Sequence, residues 1–116
     1  MTAVQHSSPA AGRWQTFSLV EQLANIGSEV ERALNWLNKG NSEYSRLAFS
    51  RALELLGLTI ADPRHRRRLK EITRMREALL DYFLGDNEFQ STEKQWRSYF
   101  YGFAYASALE KGRASD

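Results

Sequence analysis

The chain is expected to fold as an all-α protein, a four-helix up-and-down bundle with a flexible N-terminal tail, on three observations. Apolar residues recur at helical spacing in four stretches, each stretch is bracketed by capping residues or turn chemistry, and no stretch alternates at period two with a partner strand elsewhere. Its 116 residues, 42% hydrophobic and 26% charged, fit one ordinary globular domain.

The first sixteen residues contain Ser7, Ser8, Pro9 and Gly12, which read as a flexible tail (1–16). They lack the basic start and apolar stretch of a signal peptide. The folded domain is expected over 17–111, with a short tail at 112–116.

The first helix should span about 19–39. Ser18 is placed as its N-cap, Glu21 completes a capping box, and Gly40 with Asn41 stops it. Leu19, Leu23, Ile26, Val30, Ala33 and Leu37 recur at steps of 4, 3, 4, 3 and 4, an inward seam. Trp36 falls about 100° off that seam and should be half-covered.

The second helix begins after Ser42 and runs to about residue 60. Phe49, Leu53, Leu56 and Ile60 form one stripe, Ala48, Ala52 and Leu55 widen it, and Leu47 and Leu58 add apolar surface on the far side. So apolar a helix is expected to be the buried centre of the domain or to face a second subunit.

The third helix spans 63–84, with Asp62 as N-cap, Pro63 at the first position and Gly85 as a left-handed stop. Leu69, Ile72, Leu79 and Phe83 should face inward, flanked by Met75 and Leu80. Its charges run against the helix dipole: Arg64, Arg66, Arg67, Arg68, Lys70 and Arg74 crowd the positive end, while Glu77 and Asp81 sit toward the negative one. The segment 64–76 carries seven cations and one carboxylate, a local +6 that leaves −4 on the rest of a chain whose net charge is +2. Arg76 falls inside the apolar stripe, which predicts a cross-helix pair with Glu54 or Glu31.

Residues 85–90 are turn chemistry, and Ser91 or Thr92 caps the fourth helix, Gln95 completing a box if Thr92 is the cap. Trp96, Tyr99, Phe100, Phe103 and Ala106 should face inward, Tyr101 and Tyr105 outward.

Catalytic chemistry finds little material. There is no cysteine, so no disulfide, thiol nucleophile or cysteine-bound metal. His6 and His65 are the only histidines, too few for the paired Glu-x-x-His sites of di-metal bundles, and the glycines are scattered singly rather than forming a phosphate loop. His65 reads as a general base or phosphate contact, or as a half-packed boundary residue. Glu77 and Asp81, with Asp86 or Glu88, form a candidate cation cluster or a solvated carboxylate pair. No catalytic, metal or cofactor site is expected, nor any enzymatic activity.

The runs GSEVERALNWLNKGN (27–41), RALELLGLTIADPRHRRRLKEITRMREALLDYFLGDNEF (51–89) and YFYGFAYA (99–106) resemble a group of small bacterial all-helical proteins of unassigned activity. That resemblance implies a helical bundle. A weaker similarity is to HEPN helical bundles of prokaryotic toxin and antitoxin systems, whose RNase motif sets four to six residues between an Arg and a His. Positions 58, 59 and 60, where that Arg would precede His65, are Leu, Thr and Ile. The similarity therefore implies fold without RNase activity.

Three readings of the basic cluster stay open. It is a solvated face, a nucleic-acid surface aided by Tyr101 and Tyr105, or a self-association surface in which Arg67, Lys70 and Arg74 meet Glu77 and Asp81 of a second copy turned antiparallel. The expected function is a non-catalytic binding protein, homodimeric and cytoplasmic, partnered by itself or another protein and not by a membrane. The alternative is a small nucleic-acid-binding protein. The candidate binding residues are Arg64, Arg66, Arg67, Lys70, Arg74, Glu77, Asp81, Tyr101 and Tyr105.

Overall fold

The computed structural model describes residues 9–115, so the first half of the expected tail, His6 included, lies outside the described residues, as does Asp116. The elements are α1 (Pro9–Trp14), α2 (Leu19–Asn38), α3 (Ser42–Ala61), a 3-10 segment (Pro63–Arg68), α4 (Leu69–Leu84) and α5 (Glu93–Ser115). There is no strand among the described residues, and no helix is long and apolar enough to cross a membrane. The all-helical expectation therefore holds.

Both chain ends depart from the expected boundaries. Trp14, assigned to the tail, is buried in the core, and its indole Nε1 donates to Thr59 Oγ1 at 3.1 Å. One large aromatic with a buried acceptor is enough to anchor a segment that Ser, Pro and Gly mark as loose. At the other end α5 continues through 112–115 instead of stopping at 111.

α2 starts as its sequence directs. Ser18 Oγ accepts from the Glu21 amide at 3.1 Å, and the Glu21 carboxylate accepts from the Ser18 amide. Ser18 Oγ also donates to Glu110 Oε1 at 2.8 Å, which ties the start of α2 to the last turns of α5. Leu23, Ile26, Val30, Ala33 and Leu34 are buried, Trp36 is half-buried, and Leu37 reaches solvent.

In α3 the cap is Asn41, whose Oδ1 accepts from the Tyr44 amide, with Ser42 already helical. Its buried line runs through Ser45, Ala48, Phe49, Ala52, Leu56 and Thr59, while Leu53 and Ile60 are half-covered. Small residues face α2 there, and Ser45 Oγ reaches the Ala33 carbonyl at 2.9 Å, so the two helices lie close together.

The expected third helix is two pieces. Asp62 does cap it and Pro63 follows, but Pro63–Arg68 is a 3-10 segment in which His65 takes φ −102°, ψ 20°, and the α-helix begins only at Leu69. Four of the six cations thought to oppose the helix dipole thus precede the α-helix, and Glu71 occupies its first turn. Gly85 is not left-handed: its φ is −104°, and the left-handed residues of the loop are Asn87 (φ 54°) and Gln90 (φ 56°). A Cβ at 85 would lie 3.1 Å from the Asp81 carbonyl oxygen, close enough that the backbone would have to give by a few tenths of an ångström to admit a side chain.

α5 begins with the expected box, Thr92 and Gln95 exchanging backbone and side-chain hydrogen bonds at 3.0 and 3.1 Å. Trp96 and Phe100 are buried, with Tyr99, Phe103 and Ala106 half-buried beside them. α2 is the central element, with α3 and α5 both packed along it, whereas α4 rests on α3 and scarcely meets α5 backbone to backbone. The α2–α5 crossing is tight at Gly27, where a Cβ would stand 2.7 Å from Phe100 Cβ.

Candidate functional site

The basic run divides into an anchored part and a free part. In the anchored part, Asp62 is buried at 4% exposure, and Arg64 grips its carboxylate through Nε at 3.1 Å and Nη2 at 2.6 Å while also donating to the Phe17 carbonyl at 2.8 Å. The Arg64 side chain, then its backbone amide, holds the Asp62 carboxyl down to about 2 against the opposing effect of burial. His65 Nε2 lies 3.3 Å from Asp62 Oδ2 and 3.1 Å from Gln22 Oε1, and Gln22 Nε2 donates to the Trp14 carbonyl at 2.9 Å. Burial pushes the imidazole pKa down, which favours the neutral ring. The half-packed boundary histidine of the sequence reading is in fact a buried member of a closed polar network joining α1, α2, α3 and the 3-10 segment.

Sequence reasoning missed Gln22 and Thr59, both fully buried. Their signal was available: each is a polar residue in the inward sector of its helix, one turn from Ile26 and three residues from Leu56, where only a hydrogen-bonded side chain is tolerated.

The free part faces elsewhere. Arg66, Arg67, Lys70 and Arg74 are exposed and make no side-chain hydrogen bond or ion pair with any described residue, whereas Arg68 is held by Glu71 at 2.7 Å. Arg67, Lys70, Arg74 and Glu77 line a groove of about 680 Å³ between α4 and α5. Met75 and Ala78 of α4, Trp96 and Tyr99 of α5 and Phe89 of the loop supply its apolar surface.

The remaining candidates are not gathered there. Asp81 is occupied by its own loop: Oδ1 accepts from the Glu88 amide at 2.8 Å and Oδ2 from the Phe89 amide at 2.9 Å. Tyr101 borders a second, smaller depression between α2 and α5, on the flank of α5 away from the cations. Tyr105, one turn on, shares its helical face. No group of three or more carboxylate, histidine or cysteine side chains among the described residues is placed to hold a metal ion.

Two structural expectations need correction. Arg76 is half-buried but has no ion pair among the described residues, because Glu31 is taken by Arg97 at 3.3 Å and Glu54 lies exposed. A long side chain can leave its stem on apolar surface while its head stays hydrated, which removes the need for a carboxylate. The surplus of apolar surface was also misplaced. In α3 only Tyr44 and Leu47 are large and exposed, since Leu53, Leu55 and Leu58 pack against the core. The surplus lies on α5, where Tyr101 (68% exposed), Tyr105 (59%) and Leu109 (44%) follow one another at every fourth residue. Ala104, Ala108 and Gly112 run beside them, all exposed, and no charged residue occurs anywhere from 98 to 109.

No family model, no curated protein and no solved structure matches this chain.

Proposed function

We propose that this chain is a non-catalytic interaction module, an up-and-down four-helix bundle that forms a homodimer through the outer face of α5. The observation that carries the proposal is three helical turns without a charge on a solvent-facing helix, in a chain with 26% charged residues. A helix built to face water would scatter Lys and Glu across that surface.

The face suits a second copy of itself. Tyr101, Tyr105 and Leu109 make a ridge at four-residue spacing, and Ala104, Ala108 and Gly112 make a parallel furrow at the same spacing. Turned about a twofold axis, the ridge of each copy enters the furrow of the other, the commonest mode of helix crossing. Two copies would bury on the order of 1,000 Å², the lower edge for a specific interface. The antiparallel pairing of two basic helices has less support, because Asp81 is engaged within its own chain.

Sedimentation tests this directly. The expected result is a dimer at tens of micromolar that Tyr105→Lys, or Ala104→Glu with Ala108→Glu, converts to a folded monomer. A wild-type monomer at that concentration rejects the homodimer, and a dimer that ignores both variants rejects α5 as its interface.

Nucleic-acid binding through the basic segment is a second reading, favoured by the four unpaired cations Arg66, Arg67, Lys70 and Arg74. It loses its stacking partners, since Tyr101 and Tyr105 lie on the other flank of α5. Steep salt dependence of oligonucleotide binding is its signature.

A further inference from the structure

We infer that the groove between α4 and α5 is a binding site for a small organic anion with an apolar body, an acyl or aryl carboxylate. The inference is independent of the dimer, because the groove takes the Trp96 and Tyr99 side of α5 and the dimer takes the Tyr101 and Tyr105 side.

The size is suitable: about 680 Å³ falls within the range of small-molecule sites. So is the division of chemistry. Ala78 and Tyr99, half-buried, line the groove together with the edges of Met75 and Trp96, each less than a tenth exposed, and Phe89, 64% exposed, stands beside them on the loop. Arg67, Lys70 and Arg74 succeed one another at steps of three and four along one wall, so their heads gather on one side of the opening.

Charge decides the class of ligand. Of the carboxylates lining the groove, Glu71 is neutralised by Arg68 at 2.7 Å, which leaves three unpaired cations against Glu77 alone. Tyr99 adds no negative charge: burial, and then the nearby Glu71, raise its phenol pKa, so it stays protonated at neutral pH. A neutral apolar guest would bury surface while covering cations without compensation, and a bare inorganic anion would leave the apolar surface wet. A carboxylate on a hydrocarbon or aromatic body satisfies both, its head among Arg67, Lys70 and Arg74 and its body along Met75, Ala78 and Tyr99.

Isothermal titration calorimetry of the full chain tests the site, with decanoate below its micelle-forming concentration as the acyl probe and 1-naphthoate as the aryl probe. Acetate and 1-naphthylmethanol are the controls for head alone and body alone. The expected result is one site per chain for at least one of the two acids, with acetate silent and 1-naphthylmethanol at least tenfold weaker than 1-naphthoate. Which acid binds tells the acyl source from the aryl one.

Lys70→Glu with Arg74→Glu should lower affinity at least tenfold, and Ala78→Trp, which fills the groove and keeps every charge, should abolish binding. Tyr105→Lys should leave binding unchanged, which separates this site from the dimer. The inference is overturned if neither acid binds at millimolar concentration, if the neutral alcohol binds as tightly as the acid, or if the charge reversal has no effect in a protein that melts like wild type. Binding of a single-stranded oligonucleotide, lost on charge reversal and accompanied by no binding of either acid, overturns it in favour of a nucleic-acid surface.

Discussion

Arg64 and Arg67 stand three residues apart in the same basic run, and their surroundings are opposite. Arg64 clasps a buried aspartate and a backbone carbonyl, while Arg67 makes no polar contact with any described residue and borders an open groove. The difference lies in what the chain sets opposite each. Asp62 is carried into the protein as the cap of the 3-10 segment and brings Arg64 with it, whereas Arg67, Lys70 and Arg74 follow the outward sector of the chain and meet no acid. Equal local charge thus serves architecture at one position and stays available at the other.

The comparison breaks most visibly at Asp62. Asp62→Ala should cost about 2 to 3 kcal/mol in chemical denaturation, because it removes the cap of the 3-10 segment and the buried acceptor beside His65, while the half-exposed Arg64 head can turn to water. A loss below about 1 kcal/mol would mean that the network contributes nothing beyond packing.

Acid should dissolve the same contrast. Asp62 is held near 2 in the folded protein against an ordinary 3.8, so its stabilisation, about 2 kcal/mol, is complete above about pH 5 and is lost as pH falls through 3.8 toward 2. His65 acts in the same direction. Its folded-state pKa lies below its ordinary 6.5, so protonation favours the unfolded chain and stability declines once pH passes below 6.5. Urea midpoints across pH 7 to 2 should fall in two stages, and Asp62→Asn should remove the lower one.

Gln22→Leu tests the network from its other end. It deprives the Trp14 carbonyl of a donor and His65 of a partner, for an expected loss of about 1 to 2 kcal/mol despite the added apolar bulk. The smallest effect belongs to the free side: Arg67→Ala should change stability by less than about 0.5 kcal/mol, since an exposed unpaired cation supports nothing in the fold. Equal losses at Asp62 and Arg67 would erase the distinction.

The helices were legible because their signals are local. Ser18 with Glu21 and Thr92 with Gln95 announce helix starts within four residues, and the α2 seam follows from spacing alone. The contents of the groove were only half legible. Lys70, Arg74 and Glu77 stood out as charges and Trp96 and Tyr99 as inward residues, which they are, but that their edges also floor a groove was hidden because nothing in the sequence says how far α4 and α5 stand apart. Trp14 was lost for the opposite reason: its burial depends on Thr59, 45 residues away, while its neighbours announce a tail. His65 shows the same limit, since a kink in φ and ψ carries no spacing signature.

Asp81 has a consequence for motion. By accepting the amides of Glu88 and Phe89 while its backbone carbonyl accepts those of Gly85 and Asn87, it makes residues 85–89 an extension of α4. Amide protons in so exposed a turn would ordinarily exchange with solvent on the fast timescale of a mobile loop. Here those of Glu88 and Phe89 should exchange slowly, at a rate set by fraying of the last turn of α4. The backbone at Phe89 is then anchored beside the groove, so its exposed ring turns about a fixed hinge and whatever enters there meets a door whose frame does not move.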